Sequence, residues 1–515
     1  MTVILIIMTA AAVGMGVARW LKVPLVPLLV VSGIGIAALD LVEDPQLFQD
    51  ALVLGLTFLV FSFGTEMNPD RVAKRGNAAI IIGLAQFFLL AGVGLGIALL
   101  MGLAWLEALY IALALAASST LVVIRVLSQR QQLFEPFGRL VVGVLLLQDL
   151  LIILLIAAVA HIEEGATAVF IGVNGTLGLM VLAYVGLRWV TPWLLVTLNL
   201  DEEERLLVVV SILFLFIGAS FLIDVPIVVG AFLAGVALSG FPVSGLFRGQ
   251  LASLSDFFLA VFFVALGSTL VLPDTRGLLL ALSLIAVVVI LTPIMVSLIA
   301  RKAGLTSRAA LEAGLLLAQT SEFSLIVGLV GVQQGHLDNG LLSIIAIVTV
   351  VTMMLTPFVA TDRITIKLLH WLDEWQPLEE VESPQDHVVL VGCGEHGMDL
   401  LEWLLAHQQQ VVVIDDDGGV VERVEEMGGT AVLGDATDPK VLKAAGASQA
   451  RIIISTMRRP QDNAALLDQT EQVKTVFSVF DPDEAERLRR NGGIPILESY
   501  AAADELIEWF ERECQ

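Results

Sequence analysis

Only two of the 515 residues are cysteine, Cys393 and Cys514, so no disulfide framework can hold this chain together, and both thiols suit a reducing compartment. Charge is also scarce, at 16% of residues, and basic side chains are the scarcer kind, 28 Lys+Arg against 52 Asp+Glu. Nucleic-acid binding wants a basic footprint and is excluded. The deficit is concentrated: residues 361–515 carry 13 basic and 31 acidic side chains (net −18), residues 1–360 carry 15 and 21. No low-complexity segment occurs. What abounds is apolar surface: 57% of residues are hydrophobic and the mean hydropathy is +0.88. Several apolar runs reach or approach 18–20 residues, which makes this a polytopic membrane protein. The first run, "TVILIIMTAAAVGMGVA", has no basic segment before it; Arg19 and Lys22 follow it, so it reads as a retained span and not a cleaved signal.

Hydropathy predicts thirteen spans, near 2–18, 24–39, 47–64, 78–100, 106–127, 139–160, 167–190, 206–222, 225–240, 253–272, 278–299, 309–332 and 339–360. The odd-numbered loops hold the basic residues, Arg71, Lys74, Arg75, Arg130, Arg188 and Arg301 among them; the even-numbered loops hold only Arg276. The positive-inside rule then places the odd loops in the cytoplasm, the N-terminus outside and the C-terminal part in the cytoplasm.

Residues 361–386 read as a linker: an amphipathic "RITIKLLHWLDEW", then the acidic "QPLEEVESPQD". Beyond it, residues 387–515 alternate short β-branched runs with helical patterns, "HVVLVGCGEHG", "QVVVIDDD", "TAVLGDATD", "ARIIIST" and "KTVFSVF". That alternation predicts a Rossmann-like α/β unit on a parallel sheet.

Few charges fall inside the membrane spans. Asp149, in "LLLQDLL", is the eleventh residue of its span. At roughly 1.5 Å per residue it lies near the midplane, where a bare carboxylate is costly unless paired, hydrated or protonated. The plainer reading is a structural carboxylate paired with a neighbouring helix. Two other spans are interrupted by polar residues: Ser118, Ser119 and Thr120 in "ALAASSTLVVI", and Gln319, Thr320, Ser321 and Glu322 in "LLLAQTSEFSLIVG". A lone hydroxyl usually bonds back to its own helix, but three in succession are harder to dismiss. These are the fifth and twelfth spans, so they run in opposite directions. Polar breaks in antiparallel spans point to an inverted-repeat transporter with interrupted helices around a midplane site. Glu322 could equally be an anion that offsets helix dipoles.

"SSTLVVIRVLSQR", "LLLQDLL", "GAFLAGVALS", "FFLAVFFVALGSTL" and "GLLLAQTSEFSLIV", in this order, resemble the second branch of monovalent cation:proton antiporters, in particular the potassium-efflux (Kef-type) group. "FGTEMNPDRV" is similar to the family's Gly-Leu-Glu-Leu signature, with Glu66 at the glutamate and Thr65 in place of the leucine. The resemblance implies thirteen helices in inverted repeats with crossed broken helices, a homodimer in the cell inner membrane, and no enzymatic activity. It places the carboxylate over which cation and proton compete at Asp149. Gln148 beside it resembles potassium-handling members, whereas sodium-transporting relatives have Asp-Asp or Asn-Asp. The implied cation site is Asp149 and Gln148, with Ser118, Ser119 and Thr120 as further oxygens and Glu322 and Glu66 as supporting residues. The tenth span has no lysine, unlike electrogenic relatives, which favours one-for-one exchange.

In the C-terminal unit, Gly392, Gly394 and Gly397 form a G-x-G-x-x-G between a β-branched run and a helix, with Glu395 and His396 inside it. Asp415 and Asp416 follow about twenty residues on, where a carboxylate can hold a ribose hydroxyl. Such glycines let a pyrophosphate approach the helix N-terminus. "GDATDPKVLKAAGASQA" completes a resemblance to the Trk-type regulator-of-conductance domain, with Asp435, Ala436 and Thr437 at its third-strand motif. That resemblance implies a regulatory nucleotide: NAD(H), AMP or another adenine nucleotide. No constellation for hydride transfer accompanies the fold, so the nucleotide reads as a signal. Cys393 reads as a small packing residue in the loop. Two alternatives are a Na+/H+ antiporter of the same fold and a nucleotide-gated potassium channel. Against the channel, the chain has no Thr-Val-Gly-Tyr-Gly-like filter.

Overall fold

A computed structural model describes residues 2–21, 23–39, 45–67, 76–130, 132–133, 136–194, 201–239, 245–303, 305, 307–361, 364–365, 367–368, 386–416, 418–470 and 472–498. The chain forms two compact units, residues 1–304 with 309–365, and residues 305–308 with 366–515. Most of the expected linker, 361–386, lies outside the described residues.

The first unit is helical. Its helices are α1 (Thr2–Leu21), α2 (Leu25–Ala38), α3 (Pro45–Glu66), α4 (Gly76–Leu100), α5 (Trp105–Ala116), α6 (Thr120–Gln129), α7 (Pro136–Ala160) and α8 (Ala166–Val185). Then come α9 (Glu202–Leu222), α10 (Ile227–Leu238), α11 (Gly245–Thr269), α12 (Thr275–Ala286), α13 (Thr292–Lys302), α14 (Ser307–Leu316), α15 (Glu322–Gln333) and α16 (Asn339–Val359). A helix satisfies its own backbone, which apolar segments without water require. Polar caps mark the ends: Asp274 Oδ1 accepts from Gly277 N–H at 2.7 Å, and Asp338 Oδ1 from Leu341 N–H at 2.7 Å. A π-helical turn, Val287–Leu291, joins α12 to α13 just before Pro293, whose ring cannot continue a regular ladder.

Among the described residues, seven helices are long and apolar enough to cross a membrane, and six more apolar helices run 10–17 residues. Twelve predicted spans each fall on one of these thirteen; the remaining one, 309–332, covers α14, the break after it and the apolar helix α15. The shortest, such as the 12-residue α10, reach only about 18 Å. From Val228 to Leu238 every residue of α10 is buried, so this stretch packs in protein and not in lipid.

Two close crossings hold the bundle. Gly33 of α2 meets Gly267 of α11, and a Cβ on Gly33 would lie 2.1 Å from the Val264 carbonyl oxygen. Gly64 of α3 meets Gly235 of α10 in the same way, 2.1 Å from the Phe232 carbonyl oxygen. Only residues without a side chain let backbones approach this closely. Gly64 opens the sequence signature that contains Glu66; Glu66 itself closes α3, and its side chain lies outside the described residues.

The second unit carries β1 (Val388–Val391), α17 (Glu395–Ala406), β2 (Val411–Asp415), α18 (Gly418–Glu426), β3 (Thr430–Leu433), α19 (Pro439–Ala444), β4 (Ile452–Ser455), α20 (Pro460–Gln469), β5 (Thr475–Val479), α21 (Pro482–Arg490) and β6 (Ile494–Leu497). The strands are all parallel in the order β3-β2-β1-β4-β5-β6. β1 pairs Val389 with Val412 on one side and Ile453 on the other. Its four residues are all buried, as a central strand covered on both faces requires. The sequence patterns pointed to five strands. The sixth, "IPIL", carries Pro495 and alternates exposed with half-buried residues; it is an edge strand, where a missing N–H is tolerated.

Candidate functional site

The polar breaks of the membrane unit are where its helices stop. α5 ends at Ala116 and α6 begins at Thr120, so Ala117–Ser119 run extended between them. α14 ends at Leu316 and α15 begins at Glu322, leaving 317–321 outside helix. A helix end leaves unsatisfied carbonyls or N–H groups, and these two breaks satisfy each other. Ser118 Oγ donates to the Leu317 carbonyl at 2.8 Å, and Ser324 Oγ donates to the Ala114 carbonyl. The broken helices therefore cross at their breaks.

Serines cap both new N-termini. Ser119 Oγ accepts from Val122 N–H at 3.3 Å, and Ser321 Oγ accepts from Phe323 N–H at 3.1 Å. A carboxylate attends each. Thr120 donates to Asp149 Oδ2 at 3.0 Å, and Ser119 donates to Glu322 Oε1 at 2.6 Å. Helix N-termini carry partial positive charge, so each carboxylate lies where an anion is favoured. Asp149 and Glu322 are 4% and 1% exposed, which leaves bulk water almost no part in stabilising them.

Gln148 sits beside Asp149 on α7, fully buried, and its Oε1 accepts from Ser118 N–H at 3.0 Å. The amide thus ties α7 to the first break. Three polar residues that sequence reasoning passed over join them. Gln86 of α4 donates from Nε2 to Ser118 Oγ at 2.9 Å. Thr352 of α16 accepts from Thr320 N–H at 3.2 Å, and Thr349 accepts from Thr320 Oγ1 at 3.1 Å. Gln86 was visible as the only glutamine in "AAIIIGLAQFFLLAGVG"; the threonines had no signal above ordinary back-bonding. Gln86 Oε1 and Gln148 Nε2 are buried without a hydrogen-bond partner among the described residues. The structure therefore gathers Asp149, Gln148, Ser118, Ser119, Thr120 and Glu322 into one buried network.

The second unit builds its site at the carboxyl ends of β1 and β2. Gly392 has φ +78, a left-handed conformation that glycine adopts without strain. Gly397 packs against the loop so tightly that a Cβ would lie 2.4 Å from the Gly392 carbonyl oxygen, which itself accepts from Thr456 Oγ1 at 2.7 Å. Gly394 is the N-cap of α17 with no side-chain cap, and a Cβ there would meet nothing within 4 Å. That helix end is open.

Asp415 closes β2 and accepts from Cys393 N–H at 2.6 Å through Oδ2, steadying the glycine loop. Burial, then the charge of Asp415, pushes the Cys393 thiol up to about 11, so it stays protonated and packs as a small residue. Asp435 Oδ1 accepts from Thr437 N–H and Oγ1 at 2.9 and 2.8 Å, fixing the turn after β3, where Ala436 is buried. His396 and Asp416 are exposed, and the Glu395 side chain lies outside the described residues. A buried chain missed from sequence lies past β4: Ser455 Oγ donates to Asn463 Oδ1 at 2.8 Å, and Asn463 Nδ2 to Glu484 Oε1 at 2.9 Å.

Crossed helix breaks over buried carboxylates define a helical secondary transporter, and the appended sheet defines a doubly wound nucleotide-binding fold. The sodium/hydrogen exchanger transmembrane family matches residues 5–361, and the chain belongs to it. It is thus a membrane-embedded cation/proton antiporter of a family of transporters. The TrkA-N domain family matches residues 388–499. The sodium proton antiporter MjNhaP1 from Methanocaldococcus jannaschii is similar over 72% of this chain and 100% of its own, at 17% identity and TM-score 0.56. That likeness is one of fold. The TrkA-N domain of inner membrane protein YbaL from Escherichia coli aligns over 25% of this chain and 98% of its own, at 24% identity and TM-score 0.24. The GsuK channel bound to NAD covers 43% of this chain and 41% of its own, at 21% identity and TM-score 0.22.

Proposed function

We propose that the protein exchanges K+ for H+, one for one, at Asp149, as a member of the Kef-type branch. In this reading residues 1–360 transport, 361–386 link, and 387–515 bind a regulatory adenine nucleotide. The transport unit crosses the inner membrane thirteen times as a homodimer, with its N-terminus outside. The observation that carries the reading is the meeting of both helix breaks beside one buried carboxylate on α7. A bare anion there is costly. Either a proton or a cation neutralises it, and only a neutralised site crosses the low-dielectric barrier cheaply, which couples the two fluxes. Ser118, Ser119 and Thr120 supply oxygens and hold the breaks. Gln148 positions Ser118, and Glu66 and Glu322 support the site. Asp149 and Gln148 form the centre of the cation site, with water completing the shell.

The nucleotide reading rests on the left-handed Gly392, the open N-cap at Gly394 and the TrkA-N match. The open helix end suits a pyrophosphate, with Asp415 and Asp435 at the ribose and base side. Na+ as the ion is the second reading, favoured by the family's description as sodium/hydrogen exchangers. Proteoliposomes given K+, Na+ or Rb+ under an imposed pH gradient decide it. Coupled K+ flux above Na+ flux, lost in Asp149→Asn, is expected. Coupled exchange that survives in that variant contradicts the proposal, and Na+ flux above K+ flux selects the second reading.

A further inference from the structure

α7, which carries Asp149, ends at Ala160, and His161 follows directly. The short turn Ile162–Glu164 then leads into α8. His161 is only 6% exposed, and its Nε2 has no hydrogen-bond partner among the described residues. Its Nδ1 faces Glu164 Oε1 at 3.4 Å, long for a hydrogen bond. Gly172 of α8 makes room for the ring: a Cβ there would lie 2.9 Å from the imidazole Cδ2. Asp224, in the turn between α9 and α10, completes a group whose ligand atoms lie within 4.8 Å of one another.

One imidazole nitrogen and two carboxylates from two loops make a three-ligand metal set. We propose that His161, Glu164 and Asp224 bind a divalent first-row metal ion of the Zn2+ class. Bonds of about 2.0–2.1 Å in a tetrahedron separate ligand atoms by roughly 3.3 Å, close to the His161–Glu164 spacing. A mixed N/O set with an imidazole suits Zn2+ and Co2+ and disfavours Mg2+ and Ca2+, which take oxygen ligands. Water fills the fourth position. Along α7 the site lies twelve residues, about 18 Å, from Asp149, so it is separate from the transport centre.

The ion would fasten the end of α7 to the α9–α10 turn. The Ile162–Glu164 turn is already braced from another side, where Glu163 Oε2 lies 3.7 Å from His336 Nε2 and His336 Nδ1 bonds Tyr110 Oη at 2.9 Å. Resting on the exchange reading above, the consequence is inhibition: a bound ion restrains the helix that must carry Asp149 between its two access states.

The test uses the full chain, purified without a polyhistidine tag, titrated with Zn2+ by calorimetry and with Co2+ by visible absorption. One equivalent is expected, with a tetrahedral Co2+ band that Zn2+ removes and Mg2+ does not. His161→Ala and the exposed-site variant Asp224→Asn each weaken binding roughly tenfold or more, while Asp149→Asn leaves it unchanged. No stoichiometric binding, or binding unaltered in both His161→Ala and Asp224→Asn, overturns the site. In proteoliposomes with Zn2+ on both sides, exchange slows in the wild type and not in Asp224→Asn. Exchange unaffected by a bound ion overturns the restraint. A chain that binds the metal but exchanges no cation would contradict the transport reading and leave the site standing.

Discussion

Both units of this protein aim helix N-termini at a site, but they fill them differently. In the membrane, the N-termini of α6 and α15 are met by the chain's own carboxylates: Asp149 accepts from Thr120 at the start of α6, and Glu322 is the first residue of α15 and accepts from Ser119. In the α/β unit the N-terminus of α17 is left uncapped at Gly394, with open space where a side chain would be. The first arrangement builds in a negative charge and so invites a cation or a proton. The second builds in donors and so invites an anion from outside. On the proposed function, the same positive helix end would serve opposite ligands, with the neighbouring residue deciding which.

Charging the open helix end should break that contrast most sharply. Gly394→Asp places a carboxylate at the N-cap itself, where the chain has no side chain. Nucleotide affinity should fall by about a hundredfold or more, read by calorimetry, because two like charges would compete for one helix end. Gly394→Ala, which meets nothing within 4 Å, should fold normally, and binding should fall only about tenfold or less. Affinity equal in both variants would mean that the open end is not where the anion sits.

Thr120→Val sharpens the membrane side. It removes the hydroxyl on Asp149 Oδ2 and should weaken apparent cation affinity by roughly ten- to a hundredfold, the worth of one hydrogen bond to a charged group, about 1.5–3 kcal/mol. Coupling should persist, as judged from the ratio of cation to proton flux. Glu322→Gln should reduce thermal stability by about 1–3 kcal/mol through the lost charge-assisted bond from Ser119, again with the flux ratio unchanged. The smallest effect concerns Cys393. With its thiol pushed up to about 11, alkylation by a maleimide should be slow at neutral pH. Its rate should rise about tenfold per pH unit up to that value, because only the thiolate reacts.

Much of this contrast was legible in the residues. Apolar length marked the spans, "ASST" and "AQTSE" marked the breaks, and three glycines after a β-branched run marked the loop. Those signals are local, and local physics sets them. The sequence could not show what crosses in space. Gln86 is one glutamine in an apolar helix until α4 is seen beside Ser118, and Thr349 and Thr352 look like ordinary helical hydroxyls until Thr320 reaches them. Gly64 and Gly235 are far apart in the chain, and their shared role emerges only where α3 crosses α10. β6 was missed because Pro495 argues against a strand, and edge position overrides that preference. Asp415 was expected to reach for a ribose; the bond it accepts from Cys393 N–H depends on how the loop closes.

The central claim is that one carboxylate, Asp149, carries either a proton or a cation and never both. Adding K+ to the purified, weakly buffered protein, without any membrane gradient, measures this directly through the protons released. The account predicts close to one proton released for each cation bound in the wild type, and none in Asp149→Asn. Cation binding without proton release in the wild type, or undiminished release in Asp149→Asn, would contradict it.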